Sequence, residues 1–165
     1  RVIGVAETHR WHHKRDFEDA QRGFIDTLPD AHIEADAGGV SWTMRPYGFL
    51  KNQTPETVNP SLWRMSQINA IHGLFYVSDR VYQVRGFSLA NVTFVEGDSG
   101  VIVVDTLTSI EGARAAMELY FQHRGKRPVT AVIGGCSWPA ILNFGPSLSC
   151  SVTPSRARIS RLGWR

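Results

Sequence analysis

Asp105 is the residue of this chain whose surroundings best suit it for chemistry. It follows Val101 to Val104, an unbroken apolar run that reads as a strand buried on both faces. A helical pattern begins a few residues later. The C-terminal end of such a strand is where an open α/β sheet presents its ligands. A carboxylate there can hold a metal-ligating histidine or a substrate group. It can equally accept backbone N–H groups in the loop, with Thr106 or Thr108 helping to start the helix.

The other candidates are weaker. His9, His12 and His13 lie at a spacing that puts two imidazoles on one helical face, which can bind a metal. No carboxylate or cysteine completes that set, and Lys14 and Arg15 follow directly, so a solvated terminal cluster is the expectation. His72 is expected to cap or line its helix, and His123 to sit near a helix C-terminus, where its charge suits the dipole. Gly97-Asp98-Ser99-Gly100 resembles the surroundings of a nucleophilic serine, but it lies between two β-branched runs and reads as a hairpin tip. Cys136 and Cys150 form no CxxC and no Cys/His pair at zinc spacing, so free thiols are expected. Gly134-Gly135 is too short for a phosphate-binding loop.

These residues must be held by the surrounding elements. Phe17, Ala20, Phe24 and Leu28 recur at helical spacing, which predicts a helix over 15–28 stopped by Pro29. Gly38-Gly39 lies between two short alternating segments and predicts a small hairpin. The polar, Pro-containing stretch 51–63 predicts an ordered surface loop. Ser61 then reads as the N-cap of a helix whose face is Leu62, Met65, Ile68 and Ile71 or His72, with Gly73 as its end. Two hairpins follow, turning at Ser78-Asp79 and at Gly97–Gly100. Residues 110–123 predict a helix with Ala113, Met117, Tyr120 and Phe121 inward and Gly125 as its cap. Val129 to Ile133 return as a buried strand, so strand, helix and strand form a parallel, right-handed βαβ unit.

Charge and composition divide the chain at Ile133. All 15 acidic residues lie at or before Glu118, and residues 1–133 carry a net charge of −1. Arg156, Arg158, Arg161 and Arg165 stand in an acid-free tail, so the net +3 of the whole is a property of that tail. No basic stripe falls on a folded face, which argues against nucleic-acid recognition. No apolar run approaches the roughly 20 residues of a membrane span, and the N-terminus shows no secretory h-region. The first residue is Arg1 rather than Met, which points to a fragment or a processed product. Of the 32 residues from Gly134 onward, 13 are Gly, Pro or Ser without apolar period, so that tail is expected to be disordered.

Three stretches together resemble one family. They are "RDFEDAQRGFIDTLPDAHI", "TPETVNPSLWRMSQINAIHGLFYVSDRVYQVRGFSLANVTFVEGDSGVIVVDTLTS" and "GKRPVTAVI". Over residues 15–133 the chain is similar to the N-terminal part of the alkyl sulfatases of the metallo-β-lactamase superfamily. The resemblance implies an α/β (α+β) chain: a partial metallo-β-lactamase αββα fold, with the first β-layer and flanking helices only. It implies a hydrolase of long-chain alkyl sulfate esters, of the dodecyl sulfate type, using two zinc ions that supply a water of lowered pKa. It also implies a homodimer formed through a region absent here. The family's first metal motif, Thr-His-Ser-His-x-Asp-His, should begin within two residues of Ile133. Gly134, Gly135, Cys136, Ser137 and Trp138 stand there instead, and no His occurs after His123. Only Asp105 carries over, as the strand-end aspartate that supports the metal site behind its ligands.

The expected organisation is therefore a helical and hairpin segment over 1–73, the first part of a metallo-β-lactamase-like domain over 74–133, and an aberrant tail over 134–165. A frameshift, a small deletion or a misjoined exon at codon 133 would account for the tail. No catalytic residue, no metal ligand and no bound zinc are expected for this chain. The first reading is an alkyl sulfatase piece without a competent metal site. The second is a non-catalytic fragment that pairs with a full-length relative through its open sheet. Weak, sequence-blind nucleic-acid attraction through the tail arginines ranks last.

Overall fold

The computed structural model describes residues 13–134. The terminal histidine cluster apart from the backbone of His13, the two cysteines and the arginine-rich tail lie outside the described residues.

The chain opens with α1 (His13–Gln21), which is shorter than its apolar spacing predicts. Arg22-Gly23 turns the chain, and β1 (Phe24–Asp26) follows as a strand rather than a helix. Gly23 has φ +73°, and its backbone passes so close to Tyr76 that a Cβ would sit 2.0 Å from that carbonyl oxygen. Only glycine permits both the turn and the approach. Phe24 then packs edge-on against Phe75 at 5.6 Å. Tertiary pairing with the sheet has overridden helical spacing that extended to Leu28.

The Gly38-Gly39 hairpin forms as expected, from β2 (Ile33–Glu34) and β3 (Val40–Trp42). The helix expected from Ser61 is α2 (Pro60–Asn69). Its N-cap is Asn59, whose side-chain oxygen accepts from the Ser61 N–H, and Pro60 occupies the first turn, where its missing N–H costs nothing. The helix stops at Asn69, and Gly73 opens the next strand instead of capping it. The inward face is also corrected. Leu62 is 65% and Met65 48% exposed, whereas Trp63 is 8% exposed and packs on Phe49.

The main sheet has six strands in the order β1-β4-β5-β6-β7-β8. Its central strands are β4 (Gly73–Ser78), β5 (Val81–Arg85), β6 (Val92–Glu96) and β7 (Val101–Val104), paired antiparallel through the two expected hairpins. β8 (Val129–Ile133) adds parallel to β7 after α3 (Ile110–Arg124), completing the βαβ unit. Gly100 allows the entry of β7 to pass within touching distance of Pro128, where a Cβ would lie 2.3 Å from the carbonyl oxygen.

Strand alternation divides the sheet into two faces. Tyr82, Val84, Val92, Phe94, Val103 and Val132 point to one face and are buried with Ala113, Ala116, Leu119 and Tyr120 of α3. The inward face of α3 is thus Ala113, Ala116, Leu119 and Tyr120, shifted from the expected stripe at Met117 and Phe121, which pack at its margin. The opposite face carries Gln83, Thr93, Val95, Ile102 and Val104, all half-buried. β7 is therefore fully buried only at alternate residues, not on both faces. No helix among the described residues is long and apolar enough to cross a membrane.

Candidate functional site

The loop from Asp105 to Ser109 joins the end of β7 to α3, and its backbone is strained. Asp105 has φ 60° and Leu107 φ 61°. A left-handed conformation is tolerable for Asp but costs a leucine roughly 1–2 kcal/mol. Burial holds Leu107 there, since its side chain is fully enclosed in the core. The Asp105 carboxylate stabilises the turn from within: its Oδ1 accepts the N–H of Thr106 at 2.6 Å and of Leu107 at 3.2 Å. Ser109, rather than Thr106 or Thr108, caps α3 by accepting the Gly112 N–H at 3.0 Å. Ser109 Oγ also receives a hydrogen bond from Ser41 Oγ at 3.1 Å, tying the β2–β3 hairpin to the start of α3.

The Asp105 N–H donates to the Ile133 carbonyl at 2.9 Å. The C-terminal ends of the parallel pair β7 and β8 are thereby locked side by side, and whatever follows Ile133 leaves the sheet beside Asp105. On the other flank, the loop between β5 and β6 is held by a short hydroxyl contact between Ser88 and Thr108. Gly112 lets α3 approach that loop, because a Cβ would lie only 3.3 Å from the Phe87 carbonyl.

The remaining candidates are structural. His72 Nδ1 lies 3.0 Å from the Ala70 carbonyl, just past the end of α2. His123, in the last turn of α3, meets Asp26 of β1 at 2.8 Å, and this contact with the Thr27 N–H holds the Asp26 carboxyl below its usual range. Gly97–Gly100 is a hairpin tip, closed by the Gly97 N–H donating to the Gly100 carbonyl.

Sequence reasoning missed the most highly charged buried group. Glu96 is 6% exposed and sits on the core face of β6. Its oxygens accept from Tyr120 Oη at 2.9 Å, Arg124 Nε at 2.9 Å and Arg124 Nη2 at 3.1 Å. The Arg124 hydrogen bonds hold its carboxyl below the usual range against the opposing effect of burial. Tyr120, stacked on Phe94 at 4.3 Å, has its hydroxyl pushed well up by burial and by that carboxylate. The signal was present: Val92, Phe94 and Glu96 alternate onto one face. This network has every partner satisfied and joins β6 to α3.

The superfamily implies metal, typically zinc, and the described residues do not supply a centre for it. No three His, Cys, Asp or Glu side chains among them converge. Asp105 belongs to no such cluster among the described residues, and its Oδ1 is occupied by backbone amides.

The sheet is mixed, with a βαβ crossover that sets Asp105 at the end of its first strand. Residues 85–133 match the family model of the metallo-β-lactamase superfamily. Within that class, the relatives are sulfatases. An alkyl/aryl-sulfatase of Saccharomyces cerevisiae is 50% identical over 132 residues, 79% of this chain and 20% of the relative. An (R)-specific secondary-alkylsulfatase of a Pseudomonas species is 50% identical over 121 residues, 73% of this chain and 18% of the relative. The solved stereoselective inverting sec-alkylsulfatase from Pseudomonas superposes with a TM-score of 0.67 at 51% identity, covering 72% of this chain and 19% of that one. The chain belongs with the alkylsulfatases of the metallo-β-lactamase superfamily, and it spans about a fifth of the length of these relatives.

Proposed function

We propose that this chain is an alkylsulfatase segment that builds the first sheet of a zinc-dependent hydrolase of alkyl sulfate esters, and that alone it does not turn over such esters. The observation that carries the reading is the bond from Asp105 N–H to the Ile133 carbonyl, which sets the strand-end aspartate beside the exit of β8. In the family, the first metal ligands follow that exit; here Gly134 and Gly135 do. The role assigned to Asp105 is support: its carboxylate fixes the loop from which a ligating side chain would be oriented. Dimerisation belongs to the longer relatives in this reading. The division into 1–73, 74–133 and 134–165 is kept as one of sequence segments. The pairing of β1 with β4 supports treating the first two as a single packed unit.

The test of the Asp105 role uses a full-length relative. Replacing the aspartate at the same strand end by alanine is expected to lower zinc occupancy and dodecyl sulfate turnover by roughly 10–100-fold. Unchanged zinc content and turnover would remove Asp105 from the site.

A second reading, a pairing fragment, is favoured by one observation. β8 is bonded only to β7 among the described strands, so its outer edge is open to another chain. Stoichiometric co-purification with a full-length alkylsulfatase would support that reading, and its absence would count against it.

A further inference from the structure

The loop between β5 and β6 and the loop from Asp105 to Ser109 emerge at the same end of the sheet, because Val84 pairs with Val92 and Thr93 with Val104. The base of the first loop is packed. Trp42 Nε1 donates to the Gly86 carbonyl at 2.7 Å, and Phe87 is fully buried. Ser88 is 7% exposed, whereas the next residue, Leu89, is 88% exposed. Ser88 is thus the last enclosed residue before the loop tip. A hydroxyl enclosed at that point needs a partner, and it meets the hydroxyl of Thr108.

Thr108 belongs to a loop under backbone strain, with positive φ at Asp105 and at Leu107. The Asp105 carboxylate braces the first half of that loop through the Thr106 and Leu107 amides, and Ser109 fixes the far end at α3. Thr108 lies between those two supports, and Ser88 reaches it from a different strand connection. One net hydrogen bond and one left-handed leucine are of similar worth. Loss of the hydroxyl pair therefore lets the loop leave its strained conformation more often, and the Asp105 carboxylate moves with it.

We propose that Ser88 is a positioning residue for Asp105: its hydroxyl, paired with Thr108, keeps the 105–109 loop in the conformation that sets the Asp105 carboxylate beside the exit of β8. The proposal rests on the supporting role given to Asp105 above, and it assigns Ser88 no contact with substrate. A serine that only filled space would accept alanine without local consequence, since a small side chain remains and the hydroxyl alone is lost.

The first test is native-state amide exchange on the full 165-residue chain. Ser88→Ala and Thr108→Val each remove one hydroxyl, the second at nearly constant volume. Each is expected to speed exchange at the Thr106 and Leu107 amides roughly tenfold, the worth of one hydrogen bond, while the amides of β5 and β6 keep their rates. The double variant should exchange no faster than either single one, because both substitutions break the same bond. Unchanged rates at Thr106 and Leu107, acceleration spread evenly over the sheet, or single effects that multiply in the double variant would overturn the proposal. The second test uses a full-length relative with serine and threonine at the matching positions. The equivalent of Ser88→Ala should lower kcat for dodecyl sulfate severalfold with KM unchanged. If the equivalent of Asp105→Ala lowers turnover and that of Ser88→Ala does not, the positioning role is wrong and the reading of Asp105 stands. If neither lowers turnover, both fall.

Discussion

At the scale of single residues, two carboxylates stabilise different parts of the fold. Asp105 stabilises a strained turn and Glu96 stabilises a buried network. Asp105→Ala removes the acceptor of two backbone amides from a left-handed position and is expected to cost about 1–3 kcal/mol in urea unfolding. Asp105→Asn keeps a side-chain oxygen and tolerates the same backbone, so its loss should be clearly smaller. Equal losses would mean the carboxylate charge, not the turn, is what matters. Glu96→Gln leaves Arg124 without its anion and should destabilise by roughly 1–3 kcal/mol. The pH dependence follows from the depressed carboxyl pKa. The unfolded chain takes up the proton first as pH falls. The contribution is therefore complete above the ordinary glutamate range, near pH 4.5, and is lost as pH drops through the lower folded value. Thermal melts from pH 7 to pH 3 should fall less steeply for Glu96→Gln than for the unaltered chain.

At the scale of elements, what could be read from the sequence depended on whether the deciding contact was local. The three hairpins, α3 and β8 were legible because turn residues and short-range alternation specify them. Gly38-Gly39 and Gly97–Gly100 do so within a few positions. α1 and α2 were legible as helices, but their limits and faces were not. Phe24 continues a helical spacing, yet it belongs to β1 because Phe75, 51 residues on, receives it and Gly23 can pass Tyr76. Leu62 and Met65 form a plausible apolar stripe, yet Trp63 is the residue that docks, against Phe49. One position of rotation about a helix separates the two faces, and only the neighbour decides between them. The place of Asp105 at the end of β7 was legible from the apolar run before it. The Ser88–Thr108 contact and the Glu96 network were not, because each joins residues 20 or more apart. Two substitutions check these elements by urea unfolding. Gly23→Ala should destabilise by more than the roughly 1 kcal/mol of an ordinary glycine replacement at positive φ, because the methyl also meets the Tyr76 carbonyl. Asn59→Ala should cost about 1 kcal/mol through loss of the α2 cap.

At the scale of the whole molecule, a helix layer covers one face of the main sheet. The opposite face keeps Val95, Ile102 and Val104 half-buried, and β8 has no second strand partner among the described residues. Sheets in stable domains have such faces and edges covered, and the relatives, of which this chain matches about a fifth, have ample chain to do so. Concentration-dependent association of the purified chain is the expected consequence, read by light scattering after size exclusion. A monodisperse monomer at every concentration would show that the open face is tolerated. The central proposal is that residues 13–134 hold an alkylsulfatase sheet without supplying a metal centre of their own. Its most direct measurement is turnover of dodecyl sulfate by the purified 165-residue chain with added zinc, with and without a chelator. No turnover above the uncatalysed rate is the expected result; zinc-dependent release of sulfate, abolished by the chelator, would contradict it.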